Sequence, residues 1–165
     1  MAWIFSQLKN TDQSKIAYII KGYFIAAIPC FIIAILLFGI LTHFSLMPEV
    51  DESEMRITIM DAFGIIIFSP WSETLLMYVL FSFLKVCKIK GNWLVFISAL
   101  LWSGGHSFLE WQWGIVVFWG FVVFSISFLE WQKKSNRDAI FVTGTIHMIN
   151  NSVVALFLIL TNPPN

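Results

Sequence analysis

An all-α, polytopic transmembrane helical bundle of about five spans is the architecture this sequence predicts. Three observations predict it: an apolar excess, five separable apolar stretches, and basic residues that gather on alternate connections. Of 165 residues, 58% are hydrophobic and 12% charged, far from the balance of a water-soluble domain. Ten basic and ten acidic residues cancel, so no polycationic surface points to nucleic acid or to an acidic substrate. The lipid bilayer is the expected surrounding, and residues 1–165 read as a single membrane domain.

The apolar stretches are residues 16–44, 57–84, 93–108, 113–129 and 139–160, each near the ~20 residues a helix needs to cross hydrocarbon. The first follows a polar stretch through Lys15. It is longer than a signal-peptide core and no small-residue cleavage site follows it, so it is expected to stay as an anchor. Pro29 and Pro70 interrupt the first two stretches. A proline removes a backbone donor, which predicts a second span broken near Pro70, with one helix to Phe68 and another starting near Trp71. Ser69 or Ser72 would cap that new start. The third stretch is short for a full crossing. Its tail, Ser103-Gly104-Gly105-His106, is expected to be irregular or buried among neighbours, since unsatisfied backbone is not tolerated facing lipid.

Lys and Arg mark cytoplasmic connections. Lys9 and Lys15 precede the first stretch, Lys85, Lys88 and Lys90 follow the second, and Lys133, Lys134 and Arg137 separate the last two. The other connections are poor in base: residues 48–56 carry four acids and one Arg, 110–112 no base, and 162–165 no charge. A multi-pass protein of the cell membrane, N-terminus cytoplasmic and C-terminus outside, satisfies all three clusters. The hexapeptide Ser-Phe-Leu-Glu-Trp-Gln occurs at residues 107–112 and 127–132. It reads as two helix ends placing Trp and a carboxylate at the interface. Cys30 and Cys87 are too few and too differently placed for a disulfide framework and read as free thiols.

Ionisable and strongly polar side chains inside the stretches are costly at bilayer depth and so are candidate functional residues. Lys21 and Asp61 lie near span ends, where snorkelling explains them. Glu73, His106, His147 and Asn151 are harder to dismiss: they come from three stretches and sit roughly 10 to 20 Å from the basic ends, at ~1.5 Å per helical residue. His147 and Asn151 are four apart and share a helical face. A carboxylate and an imidazole can share the proton of a polarised water, while a second imidazole and an amide can donate to an oxyanion. That inventory suits amide hydrolysis. Taken singly, each residue has a plainer reading, as interhelical hydrogen bonding or a satisfied core histidine. His-Glu-x-x-His, Gly-x-Ser-x-Gly and Walker motifs are absent, and spacing lends a Glu/His/His zinc site no specific support.

Three segments in order, Pro70-Trp71-Ser72-Glu73-Thr74-Leu75-Leu76-Met77-Tyr78, Trp102-Ser103-Gly104-Gly105-His106 and His147-Met148-Ile149-Asn150-Asn151-Ser152, resemble the motifs of the CPBP family, the CAAX protease and bacteriocin-processing (Abi) membrane proteins. The resemblance covers residues 65–154. It implies an intramembrane glutamic-type endopeptidase without metal or cofactor, in which Glu73 with His106 activates water and His147 with Asn151 holds the oxyanion. Thr74 stands where the family has a second Glu, Tyr78 where it has Arg, and Trp102 where it has Phe. These three would support the site or contact the substrate, a peptide or membrane-anchored protein. Without the Glu/Arg pair, peptide maturation or bacteriocin self-immunity fits better than prenyl-protein processing. A non-catalytic immunity or scaffold protein that keeps the polar cluster is the competing reading. A small transporter is weaker, because no matched pair of broken helices is evident.

Overall fold

In the computed structural model the described residues are 2–47, 58–108 and 110–161, and their regular structure is helical throughout. The acidic connection at 48–56 and the neutral tail at 162–165 lie outside the described residues. Four helical segments are long and apolar enough to cross a membrane: Lys15–His43, Ile59–Val86, Trp111–Gln132 and Asn136–Thr161.

Before the first of these comes α1 (Ala2–Lys9), a helix where the sequence suggested only a polar stretch. Its Leu8 is buried, and Ile4 and Phe5 pack against the core. The buried Tyr18 hydroxyl donates to the Leu8 carbonyl at 2.7 Å and lies 3.2 Å from Ser127 Oγ, pinning the end of α1 to the bundle. Next, α2 (Lys15–His43) starts at Ser14, whose side chain accepts from Ala17 N at 3.2 Å. Pro29 lies within α2 and does not end it. About half of α2 is exposed, with Phe24, Phe31 and Leu36 directed away from the protein, as a lipid-facing helix requires. Lys21 reaches back to Gln7 and Gln13, each at 2.9 Å.

The second span departs from expectation. A capping box of Thr58 and Asp61 starts α3 (Ile59–Phe63), a π-helical turn (Gly64–Phe68) follows, and α4 (Ser69–Val86) continues without interruption. The break expected near Pro70 is thus a change of helical pitch one step upstream, and neither Ser69 nor Ser72 caps a new start. In the π turn Ser69 N donates to the Gly64 carbonyl, five residues back. The next donor in that pattern would be residue 70, reaching the Ile65 carbonyl, but proline has no N–H. Asn151 Nδ2, from the last helix, donates to the Ile65 carbonyl at 3.0 Å. A neighbouring side chain fills the vacated bond, which is how transmembrane helices tolerate proline.

Helix α5 (Asn92–Ser107) is 16 residues, ~24 Å at ~1.5 Å per residue, and falls short of a ~30 Å hydrocarbon core. Its Ser103–His106 tail is helical rather than irregular. Next, α6 (Trp111–Gln132) is the centre of the bundle, buried without a break from Phe121 to Phe128. It is apolar all round, as a helix enclosed by others should be. It packs against α1, α2, α5 and α7 (Asn136–Thr161). Small residues allow the closest approach: Ser103 Oγ donates to the Gly114 carbonyl at 2.5 Å, and Ser125 lies 3.1 Å from Ser98. At Gly114 even a methyl group would lie 1.8 Å from Ser107 Oγ.

The three basic clusters share one end of the bundle. Lys15 pairs with Asp138, Lys134 donates to the Thr11 carbonyl, and Lys85 Nζ lies 2.6 Å from Gln132 Oε1. The two copies of the hexapeptide behave oppositely. Trp111 is half exposed and Gln112 buried, whereas Trp131 is only 2% exposed, in edge contact with Tyr18. Cys30 and Cys87 are both free thiols.

Candidate functional site

Glu73 occupies the second turn of α4, and Ser69, one turn earlier, donates its hydroxyl to Glu73 Oε1. The other carboxylate oxygen, Oε2, is buried without a hydrogen-bond partner among the described residues. It lies 3.9 Å from His147 Nε2, with the two side chains 14% and 6% exposed. That separation exceeds a direct hydrogen bond but lets one small molecule touch both atoms. An orphaned buried carboxylate oxygen is costly, and its neighbours leave it facing an imidazole rather than a dedicated donor.

His147 projects from the middle of α7 into an aromatic sleeve. Phe124 stacks on its ring at 4.6 Å between centroids, and Phe121 meets it edge-on at 5.7 Å. Phe121 also contacts the His106 ring at 5.1 Å and stacks on Trp102 at 5.5 Å. One phenylalanine of the central helix therefore spaces the two histidines. Near the end of α5, His106 Nδ1 lies 2.9 Å from the Trp102 carbonyl. A carbonyl only accepts, so Nδ1 carries the hydrogen and Nε2 is left as a free acceptor.

Glu73 and His147 thus meet, from α4 and α7, while His106 of α5 reaches His147 only across the ring of Phe121. Asn151, one turn beyond His147, is committed to the Ile65 carbonyl through one of its amide hydrogens. Thr74 is buried but donates to the Pro70 carbonyl at 2.7 Å, a local bond within its own helix. Tyr78 packs toward Phe128, with ring centroids 6.4 Å apart. Trp102 stays close through its carbonyl and its stacked ring, and its Nε1 is buried without a partner among the described residues. Asp61, set aside from the sequence, serves as the capping carboxylate of α3.

Sequence reasoning missed Ser69, Phe121, Phe124 and Thr143. Ser69 and Thr143 stand one helical turn before Glu73 and His147, so spacing alone could have found both. The Thr143 hydroxyl is buried without a partner among the described residues. Phe121 and Phe124 are two of many phenylalanines, and nothing local marks them. Among the described residues there is no group of three or more His, Cys, Asp or Glu side chains placed to hold a metal ion. Family models, curated proteins and solved structures yield no match to this chain. The CPBP resemblance rests on its motif residues alone.

Proposed function

We propose that this chain is an intramembrane endopeptidase of the CPBP type that cleaves a peptide or a membrane-anchored protein without metal or cofactor. The observation that carries this reading is the buried approach of Glu73 to His147, 3.9 Å apart, with Phe121 in contact with both the His147 and the His106 rings. Glu73 and the acceptor nitrogen of His106 take a proton from water as its oxygen adds to the scissile carbonyl carbon. The oxyanion formed is held by the single N–H of neutral His147 and by the second amide hydrogen of Asn151. The proton then passes to the leaving amine as the C–N bond breaks. Ser69 holds the carboxylate in place. Thr74 and Tyr78 act from outside this set, as packing of the helix that carries Glu73.

In this reading the basic end of the bundle faces the cytoplasm, so the N-terminus is cytoplasmic and the C-terminus outside. α5 makes a fifth, short crossing of the cell membrane. Peptide maturation or bacteriocin self-immunity is the expected setting.

A second reading, a non-catalytic membrane immunity or scaffold protein, draws on the two hydrogen bonds that spend site groups on the protein itself, Ser69 to Glu73 and Asn151 to Ile65. Cleavage of a quenched peptide library separates the two. Purified wild type should cleave with or without chelator, and folded Glu73→Gln, His106→Ala and His147→Ala variants should each lose at least about a hundredfold in rate. A wild type that cleaves nothing, with variants that only melt earlier, replaces the enzyme by the scaffold.

A further inference from the structure

A cavity of about 870 Å³ lies away from Glu73 and the histidines, at the basic end of the bundle, between α1, α5 and the second half of α6. Its walls are apolar, with Phe5 from α1, Val95 and Phe96 from α5, and Val122 and Ile126 from α6. Its rim is basic: Lys9, Lys85 and Lys133 stand against one acid, Glu130. Lys133 is paired with Glu130 at 2.5 Å. Lys85 meets only the neutral amide oxygen of Gln132, and Lys9 has no ion-pair partner among the described residues. Two positive charges therefore remain uncompensated at the mouth of an apolar cleft.

The depth of the cleft is set by α6. Phe118, the deepest α6 residue that lines it, stands fourteen residues before Gln132, ~21 Å along a helix, more than half of a ~30 Å hydrocarbon core. The cleft thus runs from headgroup level past the bilayer midplane, long enough to take the whole acyl chain of one leaflet's lipid. A peptide threaded there would bring backbone amides that these walls cannot satisfy. A hydrocarbon chain brings none, and an anionic headgroup meets the unpaired lysines.

We propose that this cleft binds an anionic phospholipid, with an acyl chain laid between α5 and α6 and the headgroup phosphate held by Lys9 and Lys85. Phe5 and Lys9 both belong to α1, so the bound lipid also fastens this short helix to the bundle.

Native mass spectrometry of the full chain in neutral detergent tests this, with phosphatidylglycerol and phosphatidylcholine of the same acyl composition. Wild type should bind phosphatidylglycerol at least about tenfold more tightly, somewhat below the ~30-fold that two lysines contribute at an anionic surface. Lys9→Gln with Lys85→Gln should reduce phosphatidylglycerol binding to the phosphatidylcholine level. Val95→Trp, which fills the cleft, should reduce binding of both lipids, and if it does not fold the lysine pair decides alone. Equal affinity of wild type for the two lipids, a preference that survives the lysine substitutions, or displacement of the lipid by inorganic phosphate or a library peptide would each overturn the proposal.

Discussion

Replacing Asn151 by alanine should destabilise the protein through a bond that exists only because residue 70 is a proline. Asn151 Nδ2 donates at 3.0 Å to the Ile65 carbonyl, the acceptor that the π-helical pattern leaves open when Pro70 cannot donate. Interhelical hydrogen bonds inside membranes average about 0.6 kcal/mol and reach about 1.7. Here the abandoned acceptor is a backbone carbonyl with no other donor of its own pattern, so a cost near 1 kcal/mol is expected, about fivefold in the unfolding equilibrium. Pro70→Ala restores a backbone N–H. In that background Asn151→Ala should cost within about 0.3 kcal/mol of nothing, giving a coupling energy near the whole of the single-variant effect. The loss of Pro70 packing cancels in the cycle. Reversible unfolding of the four proteins in mixed micelles of increasing SDS fraction would measure it. If Asn151→Ala costs the same in both backgrounds, the amide does not stand in for the missing proline donor and the reasoning fails. A rate assay on the double variant adds a separate reading: cleavage lost there, with stability unaffected, would belong to the oxyanion role.

Gly114→Ala should cost at least about 1–3 kcal/mol, because its methyl would meet the Ser107 hydroxyl and, at 2.6 Å, the rigid Ser103 carbonyl; a thermal shift compared with Gly39→Ala, where nothing lies within 4 Å, checks it. Gly22→Ala should fall between the two, since the atom it meets at 2.7 Å is only the tip of Ile146. Tyr18→Phe removes the donor to the Leu8 carbonyl and should cost about 1 kcal/mol. Limited proteolysis should then cut at α1 sooner than in the wild type, and unchanged cleavage there would show that packing of Leu8 alone holds the helix.

Much of the helical framework was legible because lipid imposes a simple demand: long apolar runs must be helices, and polar residues inside them need partners. Hence four long helices, a short third stretch, and Glu73, His106 and His147 as residues worth pursuing. What escaped the sequence depended on partners far away in the chain. Pro70 announces a missing N–H but not that Asn151 will supply one, so a π turn looked like a break. α1 is eight residues long, too short for a periodic signal, and is fixed by Tyr18 from another helix. The spacing role of Phe121 comes from its place on a central helix, which composition cannot distinguish from the lipid-facing phenylalanines of α2. The hexapeptide makes the same point most sharply, since identical residues bury Gln112 in one copy and Trp131 in the other.

The π turn at Gly64–Phe68 is a stored one-residue insertion. A π turn fits one extra residue into about the rotation that α geometry, at about 100° per residue, gives with one fewer, so deleting one residue there would return the segment to α geometry while Ile59–Phe63 and α4 both kept about their bearings. One residue can therefore be lost at this point without re-aiming either the segment leading into the bilayer or the helix that carries Glu73. A single-residue deletion in this turn should spare the facing of both segments, whereas the same deletion within regular α4 would turn everything before it by about 100°.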